Sequence, residues 1–145
     1  MRFSRPFPRV GAARAEVERK KLLLDTHALI WWAVDDGRMS RKVKRLIRDE
    51  DTQVFVSAAT AWEIATKVRL GKLEWKAPVP VESYCIGQRF ELLPVTFSHG
   101  AKAGSWPQDH GDPFDRMLAA QSQLEGIPLA TNDPKVELFG VSTIW

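Results

Sequence analysis

Residues 21–32, KLLLDTHALIWW, set a short continuous apolar run directly against an aspartate and a helix-forming segment. The run lacks polar alternation and is too short for a helix, so it reads as a strand buried on both faces. Asp25 closes that strand, and THALIWWAV continues as a helix. Working outward, the same strand-then-helix unit recurs. After the turn DDGRMS, Ser40 is placed to cap a charged helix, RKVKRLIRDE (41–50). QVFVS (53–57) alternates and is rich in β-branched residues, which marks a second strand. The following helix, AATAWEIATKVRLGKL (58–73), is stopped by Gly71 in the C′ position.

The prolines of EWKAPVP (74–80) make it an extended linker, and VESYCIGQRF (81–90) is a weaker helix. ELLPV (91–95) reads as a strand, followed by a helical stretch from about Ser98 and the loop GSWPQDHG (104–111). DPFD (112–115) opens another helix and Gly126 ends it; IPLAT (127–131), DPKVELF (133–139) and VSTI (141–144) complete the chain as strand, helical turn and strand. Strands alternating with helices throughout predict an α/β fold with a parallel sheet covered on both faces. Such sheets bind ligands beyond the carboxyl ends of their strands.

That rule singles out four carboxylates. Asp25 follows the first strand, Glu63 lies about two turns into the helix after the second, Asp115 falls in the first turn of the helix opened by DPFD, and Asp133 follows IPLAT. Each has a structural explanation by itself. Asp112 before Pro113 fits an N-cap with proline at N1, and Asp115 at N3 complements the helix dipole. Asp133 before Pro134 looks like another cap, Asp25 can cap the helix after it, and Glu63 can pair with Lys67 at i+4. Convergence changes the balance. A cap contributes about 1 kcal/mol, whereas two carboxylates about 4 Å apart repel by roughly 4 kcal/mol at an effective dielectric near 20. Acids that converge therefore imply a bound dication, and hard oxygen ligands suit Mg²⁺ or Mn²⁺.

Composition sets the outer bounds. A chain of 145 residues with six tryptophans is expected to form one packed domain. The lone Cys85 excludes an internal disulfide and suits a reducing, cytoplasmic setting. No apolar run approaches the roughly 18 residues of a membrane span, and no secretory h-region is present. The net charge of +3 is unevenly distributed: residues 1–21 carry seven Lys/Arg and two Glu, leaving 14 basic against 16 acidic residues in the body. The basic arm thus carries the basicity, and reads as a flexible extension, as the product of a start codon assigned too far upstream, or as a phosphate-contacting arm.

Four stretches, LLLDTHALIWW, VSAATAWEIATKVRLGKL, DPFDRMLAAQSQLEGIPLATNDP and VSTIW, together resemble a PIN-domain protein, specifically a VapC-type toxin of a bacterial type II toxin–antitoxin system. The resemblance covers residues 21–145 and has no counterpart for residues 1–20. It implies a PIN-like three-layer α/β/α sandwich with a central parallel sheet of four to five strands. It further implies a Mg²⁺- or Mn²⁺-dependent endoribonuclease acting on RNA, a cognate antitoxin protein and a homodimer. Carried over by position, the catalytic, metal-binding acids are Asp25, Glu63, Asp115 and Asp133.

Thr26, Thr131 and Asn132 border these acids as candidates for holding waters or phosphate oxygens, against ordinary turn bonding. Arg116 is a candidate phosphate contact, against a surface pair. His27 and His110 read as helix and loop residues rather than acid–base groups, Cys85 as buried and inert, and Trp31, Trp32 and Trp62 as core. Two other classes compete. A receiver- or haloacid-dehalogenase-like phosphoryl-transfer fold needs an acid beside Asp25 or a lysine late in the sheet, and DTHALI and IPLATND supply neither. A catalytically silent PIN-fold binding module has no reason to keep all four acids.

Overall fold

The computed structural model of the chain describes residues 19–107 and 111–145. The expectations for the basic arm up to residue 18 and for His110 lie outside the described residues. KLLLD forms β1 (Lys20–Leu24) and THALIWWAV forms α1 (Thr26–Val34). The chain continues through α2 (Arg41–Arg48), β2 (Thr52–Ser57), α3 (Ala58–Arg69), α4 (Val81–Gly87), β3 (Glu91–Leu93), α5 (Phe97–Ser105) and α6 (Pro113–Glu125). It closes with β4 (Leu129–Ala130), a 3-10 turn (Pro134–Phe139) and β5 (Thr143–Ile144).

All four strand pairings are parallel, and the sheet order is β3-β2-β1-β4-β5. β1 is central, in register Leu24 to Val56 on one side and Leu24 to Ala130 on the other. Because side chains alternate along a strand, the apolar run of β1 serves two cores. Leu22 and Leu24 join Val54, Val56 and Ala130 beneath α1, α2 and α4; Leu23 points oppositely, with Leu129, towards Leu118 and Ala119 of α6 and Val136 and Phe139 of the 3-10 turn. Leu22, Leu23 and Leu24 are fully buried, each contributing about 1.5–3 kcal/mol from desolvation. The result is the expected α/β/α sandwich with five strands.

The capping residues read from sequence act as caps. Ser40 accepts from the Val43 amide at the start of α2, Asp112 accepts from Phe114 and Asp115 with Pro113 at N1 of α6, and Gly126 closes α6 at φ 67°. Several details differ from expectation. β4 is shorter than IPLAT, because Pro128 has no amide hydrogen to donate; its carbonyl still accepts from Leu23, and Thr131 N–H still donates to Ile144. α4 stops at Gly87, since Arg89 adopts φ 60° and turns the chain. α5 extends through Gly104 to Ser105, into the stretch expected to be loop.

Trp31 and Trp32 are core, but Trp62 is 62% exposed. This corrects the reading of Trp62 as a core residue. Successive helix residues point about 100° apart, and α3 buries Ala59, Thr60, Glu63 and Ile64. With Glu63 turned inward, Trp62 swings to the flank, where it meets Phe114 of α6 edge-on at 4.8 Å between ring centroids.

Candidate active site

The sheet reverses its strand order between β1 and β4, and the crevice beyond their carboxyl ends is the expected ligand position in an open α/β sheet. Asp25 and Thr131 stand at that edge, and Asp25 N–H donates to Ala130 O at 3.1 Å across it. Asp25 is buried. One of its carboxylate oxygens, Oδ1, accepts from Ala28 N–H at 2.7 Å, capping α1. Burial pushes its carboxyl above the ordinary aspartate value; hydrogen bonds from Thr131 and Ala28 and the nearby His27 oppose that rise, while the charge of Glu63 adds to it. Asp25 is thus a desolvated acid beside another acid.

β2 ends level with β1, so α3 starts at the same edge and carries Glu63 back over it. Both carboxylate oxygens of Glu63 are engaged: Oε1 accepts from Thr26 Oγ1 at 2.5 Å, and Oε2 meets Lys67 Nζ at 2.5 Å. Thr26 Oγ1 also lies 3.4 Å from Thr60 Oγ1. Lys67, one turn beyond Glu63, faces the first turn of α6 as well. The Glu63 hydrogen bond holds its ammonium above the usual lysine range against partial desolvation, helped by the charge of Glu63 and, less, by those of Asp112 and Asp115. Asp115 is half-buried at N3 of α6.

The remaining sequence candidates are placed as follows. Asp133 caps the 3-10 turn through Lys135 N–H at 2.9 Å, and its own amide donates to Thr131 Oγ1 at 3.1 Å. Thr131 therefore links Asp133 to Asp25, while Asn132 is exposed. Arg116 points its guanidinium at main chain: Nε donates to Ala103 O at 2.9 Å and an Nη donates to Trp106 O at 2.6 Å. It joins α6 to the end of α5. His27 is exposed and stacks near Trp31, and Cys85 is buried, its thiol pushed up to about 12 by desolvation.

The structure brings Asp25, Thr26 and Glu63 together and joins Asp112 and Asp115 to them through Lys67; Asp133 is connected through Thr131. Among the described residues, no three His, Cys, Asp or Glu side chains gather closely enough, as they stand, to hold a metal ion. The donor set nevertheless fits a hard divalent cation, being made of carboxylate and hydroxyl oxygens. A cationic ammonium already lies on Glu63, so the site attracts positive charge. Sequence reasoning treated Lys67 only as a helix pair, and the i+4 spacing from Glu63 was the available signal. It also missed the buried His99, whose Nδ1 accepts from Thr96 N–H at 3.0 Å and whose Nε2 lies 3.0 Å from Glu125, fastening α5 to α6. A histidine inside an FSHGAK segment gives no such sign.

A parallel sheet of this order, with acids at its central carboxyl edge, defines a class. The chain matches the PIN domain family over residues 22–140 and belongs to it. Among individual relatives, it is 27% identical over 116 residues to Ribonuclease VapC22 of Mycobacterium tuberculosis, covering 79% of this chain and 88% of that protein. Its fold is similar to VapBC2 from Rickettsia felis bound to a DNA fragment from their promoter, with a TM-score of 0.64, 14% identity, and coverage of 86% of this chain and 97% of that one. It is also similar to Mycobacterium tuberculosis VapC20, a sarcin–ricin loop cleaving toxin, with a TM-score of 0.57, 19% identity, and coverage of 85% of this chain and 98% of that one.

Proposed function

We propose that this chain is the toxin of a type II toxin–antitoxin pair, an endoribonuclease that hydrolyses RNA phosphodiester bonds with Mg²⁺ or Mn²⁺ held by Asp25, Glu63, Asp115 and Asp133. The observation that carries the reading is Asp25: a buried carboxylate at the central sheet edge, desolvated and next to a second buried acid. Burying one acid beside another is costly, and a bound dication offsets that cost. The likeness to a ribonuclease along most of both chains supports the same reaction.

A divalent ion, when bound, supplies charge stabilisation at the phosphate and a more acidic water. The chain's own residues provide the rest. Thr26 fixes one oxygen of Glu63, and the Ala28 amide fixes one of Asp25, so both acids are oriented in advance. Asp112 caps α6 and thereby fixes the first turn that carries Asp115. Thr131 ties the Asp133 turn to the same edge. One of these carboxylates accepts the proton of the attacking water. The slightly acidic body favours local Lys/Arg patches and the ion itself as the source of RNA affinity.

The toxin reading brings a cognate antitoxin and a homodimer with it, and a reducing, cytoplasmic setting agrees with the single buried thiol. No helix among the described residues is long and apolar enough to cross a membrane. The test is RNA cleavage by purified protein with Mn²⁺ and then with excess chelator. Cleavage that appears with metal, stops with chelator and is lost in Asp25→Asn supports the assignment. A well-folded protein inert towards RNA with either ion would leave a silent PIN-fold binding module.

A further inference from the structure

Lys67 reaches into the acidic edge from α3, and its ammonium lies on the buried Glu63 at 2.5 Å. The Glu63 side chain is 5% exposed and that of Lys67 is 35% exposed, so the pair runs from the interior out to solvent. Thr26 already holds the other Glu63 oxygen. Each carboxylate oxygen therefore has a partner, one a hydroxyl and the other an ammonium. α3 packs against α6, and the α6 acids Asp112 and Asp115 lie close enough to attract the same ammonium.

We propose that Lys67 is the resident counter-ion of the acidic edge in its metal-free state, and that a divalent cation must displace it from Glu63 to bind. The inference rests on the metal-site reading given above and deepens it. An ammonium and a dication cannot share Glu63 Oε2 without strong like-charge repulsion. A single positive charge also leaves Asp25, Glu63 and Asp115 undercompensated, so a dication has the electrostatic advantage. Lysine is suited to leaving. Its ammonium is a compact point charge on a flexible four-carbon stem, and release into water needs only rotation about that stem.

The experiment is Mn²⁺ titration of the purified full chain by calorimetry, comparing wild type with Lys67→Met and Lys67→Arg, each checked for native circular dichroism. Removing the competing charge is expected to tighten Mn²⁺ binding about tenfold in Lys67→Met, while Lys67→Arg stays near wild type. Equal or weaker binding in a folded Lys67→Met overturns the role of Lys67 and leaves the metal site standing. Absence of Mn²⁺ binding in both wild type and variant overturns the metal site and this inference with it. A second measurement needs no variant. In wild type, Mn²⁺ is expected to increase acylation of Lys67 by an amine-reactive ester, read by peptide mass spectrometry. Unchanged or reduced labelling at saturating Mn²⁺ overturns the displacement.

Discussion

Asp25 performs two tasks that pull in opposite directions. Its Oδ1 atom caps α1 through Ala28 N–H, which favours the fold, while burial penalises its charge. Asparagine caps as well as aspartate does, so Asp25→Asn separates the two. The variant is expected to lose RNA cleavage at least about a hundredfold and yet to melt at a higher temperature than wild type in the absence of metal; a lower melting temperature with cleavage retained would reverse both halves of the assignment. Cys85 offers a pH test. Its folded value, near 12, lies above its ordinary value of 9.0, so its contribution to stability is fully present below pH 9 and is lost as pH rises through about 12. Native protein at pH 8 should therefore resist iodoacetamide at Cys85, with alkylation appearing only on denaturation, as followed by mass spectrometry. Both residues were legible in sequence, one from its place after an apolar run and the other from its amphipathic surroundings. Lys67 was not, because an i+4 pair looks the same whether it decorates a helix or neutralises a site.

At the scale of elements, α6 shows how far local chemistry reaches. DPFD announced a cap, a proline at N1 and an acid at N3, and all three occupy those positions. Asp112→Ala removes the cap, at a cost of about 1 kcal/mol, which lowers the melting temperature by about 3 °C at this chain length. Asp115→Asn leaves the cap intact. Thermal melts and cleavage assays on the pair should therefore cross over, with Asp112→Ala losing more stability and Asp115→Asn more activity. Where sequence fell short, long-range geometry was responsible. The flank position of Trp62 depends on which side of α3 meets the sheet, and a buried glutamate decides that against the tryptophan. The length of α5 likewise depends on packing against α6 and on the His99 to Glu125 contact, 26 positions apart.

For the whole molecule, the alternation of strands and helices was sufficient to give the sandwich, but it did not give the strand order. Nothing in a strand's own residues says which neighbour it takes, and the placement of β1 between β2 and β4 comes from pairing over long separations. That order sets Asp25 beside Ala130 and Thr131 at the carboxyl edge of the sheet. Stripping divalent ions with a chelator is expected to abolish cleavage and to lower the melting temperature, and returning Mn²⁺ or Mg²⁺ should restore both; an unchanged melting curve would count against a site whose charge the ion balances. The central position of β1 has one more consequence, for synthesis of the chain on the ribosome. β1 is made well before its second neighbour, β4, which begins only at Leu129. Through most of translation the nascent polypeptide has an unfinished sheet and no Asp133 turn beside Asp25. The sheet edge at which Asp25 stands is therefore completed only once β4 has been made and paired with β1.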